Sequence, residues 1–340
     1  MEGRNRMSKV ILFTHPIYEH ITDRRRKYKW CDNIRSFEKN IKPYGNNSSV
    51  IMPWNDTEHD RKFIECKCDV LDINNNDVET IDNQRFWGEW EQPSRVFKIS
   101  NDMDKLKANF VHIPLFGKIE KNAEDDYINY QNYQNTDPYV FGDSFYYCCC
   151  KQNRFKYLKK LEEDDIIIFC GLLGNGDKRR FAIDTIFVVK QAICKYGTTE
   201  TNETNKSIID KLDRRYVNGV LNPVLFGNDE SLGRDEKKYF VLYKAKMYKK
   251  DSVDELFSFF PVKKEYNYKK VEIPFDIMKK ILHTDKTNVK ISNRTQASIH
   301  EIDSKDVWNE LYEYIVCKQN YLMGIKAYDE FEEHIIKGIV

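Results

Sequence analysis

A chain of 340 residues with 41% hydrophobic and 14% aromatic residues is long enough to bury a substantial core, as one large or two modest domains, and too apolar to stay disordered. Its 55 basic and 54 acidic residues leave a net charge of +1, which excludes a global basic field, so any contact with nucleic acid has to come from local patches. No apolar run approaches the roughly 18 residues of a membrane span, Val10 to Phe13 is too short for a secretory signal, and nine cysteines without a framework spacing suit reduced thiols. A cytoplasmic protein without a membrane partner is the expectation.

In chain order, Lys9 to Thr14 is a β-rich run that ends at His15-Pro16. Arg24, Arg25, Arg26 and Lys29, interleaved with Tyr28 and Trp30, form a first basic patch. Ile34 to Ile41 has apolar positions at helical spacing. Ser49 to Met52 and Asn109 to Leu115 are further short strands closed by turn signals. Between them lies Arg85 to Ser94, RFWGEWEQPS, read as turn-rich, and after them Thr136 to Gln152, TDPYVFGDSFYYCCCKQ. Phe155 to Leu161 suggests a helical turn. Ile166 to Leu173 and Phe181 to Val189 predict an antiparallel hairpin at the centre of a sheet, joined through a second basic patch, Lys178-Arg179-Arg180. Thr198 to Lys206 reads as a polar surface loop, Ile208 to Tyr216 as a short helix, and Tyr239 to Tyr248 as a strand running into a third basic patch, Lys244 to Lys250. Phe275 to Leu282, Asp306 to Tyr321 and Ala327 to Ile336 predict helices.

The expected fold is therefore α+β: a mixed, largely antiparallel central sheet with flanking helices and a helical C-terminus. Residues 1–200 would form a recognition or catalytic core, and residues 201–340 an extension packed on that core or part of one single domain.

Phosphate-loop, dinucleotide-binding, zinc-protease and serine-hydrolase motifs are absent. Cys66-x-Cys68 lacks the second pair of a zinc site, and Cys148-Cys149-Cys150 are adjacent, so no metal or cofactor is expected. What stands out is the pairing of acids with aromatics in residues 85–94 and 136–152. Tryptophan is costly to leave in water and a carboxylate is costly to bury unpaired. The two together suit a pocket that stacks a flat ring and reads its polar edge, as for a flipped nucleobase. The same residues also describe an aromatic core with satisfied acidic caps: Asp137 as an Asx turn before Pro138, Glu89 paired with Arg85 or Arg95.

The run DPYVFGDSFYYCCCKQ, followed by L-x-x-L-x-x-x-D-I-I-I-F and the strand FAIDTIFVV, resembles the nucleotide-modification-associated domains of bacterial and phage systems that make, read or remove modified DNA bases. The strand-turn-strand element also looks like the core of PUA-like base-recognition domains. The likeness covers about a third of the chain, roughly residues 80–190, and Asp164-Asp165 stands where such families usually carry Gly-Asp.

The resemblance implies contact with a modified base in DNA, in defence against phage, with a DNA glycosylase as the first reading and a non-catalytic reader as the alternative. A DNA glycosylase would stack the flipped base on Trp87, Trp90, Tyr139, Phe141 or Tyr146. One of Asp137, Asp143, Glu89 or Glu91 would then support the oxocarbenium-like transition state as the N-glycosidic bond breaks. A reader would hold the base without chemistry and act with a separate effector. In either case Arg24, Arg25, Arg26, Lys29, Arg179 and Arg180 would meet the DNA backbone. Lys151 as an amine nucleophile, and His15 or His112 as a proton donor, are minor candidates. For a glycosylase, Asp137→Asn or Asp143→Asn would abolish base release and leave folding intact.

Overall fold

The computed structural model describes residues 7–15, 50–52, 61–72, 77–90, 94–100, 102–104, 106–114, 136–174, 176–196, 207–213, 216–221, 239–250, 255–263, 268–284 and 296–328. The expected helix at 34–41, the loop at 198–206 and the basic patch at 24–29 lie outside them.

Two seven-stranded sheets carry the fold, where one was expected. In the first the order is β13 (Gln296–Glu301), β1 (Lys9–His15), β8 (Ile166–Leu173), β9 (Arg180–Tyr196), β10 (Phe240–Ala245), β7 (Tyr146–Tyr147), with β12 (Glu272–Pro274) also on β9. In the second it is β11 (Phe260–Val262), β14 (Leu322–Ala327), β3 (Arg61–Asp72), β6 (Phe110–Pro114), β5 (Ser94–Lys98), β2 (Val50–Met52), with β4 (Asp77–Glu89) on the other edge of β3. The sheets are mixed: β1 lies parallel to β8 and β3 parallel to β6, and the other strand pairs are antiparallel. Each sheet takes strands from both halves of the chain.

The continuous apolar runs of β1 and β8 follow from burial on both faces. Ile11, Phe13, Ile167 and Phe169 enter one core, with Phe187 and Val189 of β9, with Ile64 and Phe86 of the second sheet, and with Trp90 just after β4. Val10, Leu12, Ile166 and Ile168, one residue out of phase, enter a second core with the two helices. Those helices are α1 (Phe275–Ile281) and α2 (Ser304–Tyr312). Asp303 caps α2, its carboxylate accepting from the Lys305 amide at 2.8 Å, and Val307, Trp308 and Leu311 form its buried stripe.

The antiparallel hairpin of β8 and β9 stands as expected, as do α1, the short turn at Lys156–Lys159 and the strands at 9–15, 50–52 and 110–114. The helical C-terminus is only partly present. After α2 and the π-helical turn Glu313–Lys318, the chain becomes β14, against β3 and β11. Ala327 ends that strand, so no helix starts there, and residues 329–336 lie outside the described set. No helix among the described residues is long and apolar enough to cross a membrane.

The close approach in β14 is at Gly324, which pairs with Phe260; a Cβ there would overlap the Phe260 ring. That ring is held by Phe86 at 4.4 Å and Phe145 at 5.9 Å, so it has little room to yield. Gly324→Ala is expected to cost about 1–3 kcal/mol by overpacking, read from the shift of the denaturant midpoint.

Candidate functional site

The segment Arg85–Glu89 is strand, a correction to its reading as a turn. It pairs with β3 in the register Lys62 with Gly88, Phe63 with Trp87, Ile64 with Phe86 and Glu65 with Arg85. Strand alternation separates the two tryptophans. Trp87 joins the second core, 4.7 Å from the Phe63 ring, with the Lys270 amine 3.3 Å from its own ring centroid. Trp90 joins the first core, edge-on to Phe141 at 5.2 Å. They do not sandwich one ligand.

The chain from Thr136 to Tyr147 folds as a hairpin of its own and crosses between the sheets. Tyr139 and Tyr146 exchange backbone hydrogen bonds at 2.8 and 2.9 Å. Gly142, at φ +80°, makes the turn, where a left-handed backbone favours glycine, and its amide donates to the Ala327 carbonyl at 2.9 Å. Tyr146 and Tyr147 then pair with β10 in the first sheet.

This crossing brings the two aromatic-acidic segments together. The Asp137 amide donates to Glu89 Oε1 at 3.4 Å, and the Lys62 amine donates to the Trp90 carbonyl. Lys62, Glu89, Thr136 and Asp137 are all buried. Asp137 is 0% exposed and its carboxylate is a hub. Oδ1 accepts from the Cys148 amide at 2.9 Å, and Oδ2 from the Cys149 and Cys150 amides at 2.9 and 2.8 Å. Burial pushes its pKa up, and the three amide bonds oppose that rise without cancelling it.

The remaining candidates are dispersed. Asp143, at the hairpin tip, is 93% exposed and ion-paired with Lys326 at 2.7 Å, which holds its carboxyl below the usual range. Tyr139, Phe141 and Tyr146 are buried together: Tyr139 is edge-on to Phe141 at 5.4 Å, and both tyrosines contact Tyr216, at 4.8 and 4.6 Å. Arg179 stacks on Phe275 at 4.1 Å and Arg180 pairs with Glu272 at 2.9 Å, so this patch is largely engaged within the fold. In the third basic patch Lys246 pairs with Asp164 at 2.8 Å. His15 is buried with its ring 4.8 Å from that of Phe13, His112 is buried on β6, and Lys151 takes φ +60° at a half-buried turn. Glu91, Arg24, Arg25, Arg26 and Lys29 lie outside the described residues.

Sequence reading gave no binding role to Tyr216, which it placed at the end of a short helix at 208–216, or to the cations that follow Lys151 in residues 152–160. Among the described residues, Asp137, Cys148 and Cys149 offer metal-ligand atoms within 4.8 Å of one another. The Asp137 oxygens already accept three amides, and burial pushes the Cys149 thiol up, which favours the neutral, non-ligating form. The arrangement locks a turn and is poorly suited to proton transfer with an outside molecule. No family model matches the chain, and no curated protein and no solved structure does either.

Proposed function

We propose that the protein is a reader of modified bases in DNA, acting with a separate effector in defence against phage. The observation that carries the choice of reader over glycosylase is the burial of two of the four candidate acids. Asp137 is sealed and holds three backbone amides and Glu89 is 2% exposed, whereas Asp143 is exposed and paired with Lys326 and Glu91 lies outside the described residues. A carboxylate that supports glycosidic cleavage has to lie within hydrogen-bond reach of the reacting sugar or its water. Recognition needs only aromatic faces and polar edges; Tyr139, Tyr146 and Tyr216 group together beside the hairpin tip, and being buried they would have to open to present a face.

Asp164-Asp165 is where the chain departs from the nucleotide-modification-associated domains it resembles. Asp164, where such families usually carry glycine, takes φ +67°, the left-handed region glycine favours. The adjacent Asp165 is 0% exposed and ties the turn to β1, its carboxylate accepting from the Lys9 and Glu162 amides at 2.8 and 2.9 Å.

Incubating the protein with plain and 5-hydroxymethylcytosine-containing duplexes, followed by an abasic-site nuclease, separates the two mechanisms. Intact strands in both samples, with retention of the modified duplex, are expected. Breaks confined to the modified duplex would establish the glycosylase instead.

A further inference from the structure

The segment from Lys151 to Leu161, KQNRFKYLKKL, carries Lys151, Arg154, Lys156, Lys159 and Lys160 and no acid. It is fixed to the first sheet rather than draped over it. The Gln152 amide group bonds both ways with Val241 of β10, at 2.8 Å each, and Leu158 and Leu161 are buried. The acids that follow are matched by other lysines: Glu162 by Lys9 at 3.7 Å, and Asp164 and Glu163 by Lys246 at 2.8 and 3.7 Å. Arg154, Lys156 and Lys160 are exposed, and no ion pair with an acid is seen for them among the described residues. Burial, and after it the neighbouring Lys156 cation, push the Lys159 amine pKa down.

Half-buried rings are set among these cations. Phe155 lies 5.9 Å from Tyr157 and 5.2 Å from the Arg154 guanidinium. Tyr239, at the start of β10, has the Lys159 amine 4.5 Å and the Lys195 amine 5.5 Å from its ring centroid. The Tyr157 hydroxyl donates to the Ala297 carbonyl at 2.6 Å, which holds that ring in place. Rings fixed against the fold are poorly placed to insert into a lipid interface. Cations interleaved with fixed, partly open rings suit a chain of phosphates that also carries flat bases.

We infer that residues 151–160, with Tyr239, form the face that holds a single DNA strand, the cations on its phosphates and Phe155, Tyr157 and Tyr239 under its bases. The inference rests on the reading of the protein as DNA-binding, and it assigns the strand to residues other than the sealed joint at Asp137.

Arg154, Lys156 and Lys160 are exposed, so Arg154→Gln, Lys156→Gln and Lys160→Gln together should leave the fold, and the melting temperature, unchanged. The test is fluorescence anisotropy of a labelled mixed-sequence 20-nucleotide single strand, with and without 5-hydroxymethylcytosine, over a range of salt. The triple variant should bind both strands about tenfold more weakly, and its log–log salt slope should flatten by about 2, from about 0.7 per phosphate contact. Phe155→Ala should weaken binding about tenfold with the slope unchanged. Wild-type affinity and slope in the triple variant, no binding of either strand by the wild type, or binding of phosphatidylserine vesicles in place of the strands would overturn the assignment. Equal wild-type affinity for both strands, lost in the triple variant, would uphold this face and remove the modified-base reading.

Discussion

Asp137→Ala is expected to lower the unfolding free energy by about 3 kcal/mol, because it leaves the amides of Cys148, Cys149 and Cys150 without their buried acceptor, and a stranded buried donor costs about 1–3 kcal/mol. The three losses share one site, so they should not add in full. Asp137→Asn keeps one oxygen but turns an amide group toward donors, and an intermediate loss is expected. A change below about 0.5 kcal/mol, the range of an ordinary surface substitution, would show that the turn is held by other means. This expectation differs from the one drawn from the sequence, where Asn was to spare the fold and abolish chemistry.

A second large effect belongs to the pair beneath the β3–β4 hairpin. Arg85 Nε and Glu65 Oε2 are 2.6 Å apart, with side chains 8% and 3% exposed. Arg85→Ala would leave the Glu65 carboxylate without this partner and should cost about 3–5 kcal/mol. Replacing both together, Arg85→Met with Glu65→Leu, should recover most of that loss, since an apolar pair of similar volume needs no desolvation of charge. Denaturant unfolding of the three proteins checks it. A double variant as unstable as Arg85→Ala alone would mean that the pair contributes through geometry that apolar packing cannot replace.

The strongest β runs were legible because their residues admit one reading: Lys9–His15, Ile166–Leu173 and Arg180–Tyr196 are rich in β-branched and aromatic side chains and bounded by turns. The parallel pairing of β1 with β8 was not, since no local pattern links strands about 150 residues apart. RFWGEW failed for a related reason. The end of β4 is buried on both faces, so the polar–apolar alternation that marks a half-exposed strand is absent. β14 was hidden between helical patterns, and its Gly324 marks the close approach of Phe260. The two aromatic-acidic segments, read from the sequence as one ligand pocket, meet at a joint instead: the alternative of a satisfied acidic cap describes Asp137, and Arg85 pairs with Glu65. Burial of that kind is decided by the crossing of residues 136–147 between the sheets, which the sequence shows only as a Gly-containing turn.

The most direct measurement of the central proposal is the affinity of the wild-type protein, at about 0.15 M salt, for matched DNA duplexes that differ only in carrying cytosine, 5-hydroxymethylcytosine or its glucosylated form. Tighter binding of at least one modified duplex by about tenfold or more, equivalent to about 1.4 kcal/mol, with the base still attached at the end of the titration, is the expected result. Equal affinity for all three duplexes, or release of the modified base during the titration, would contradict it.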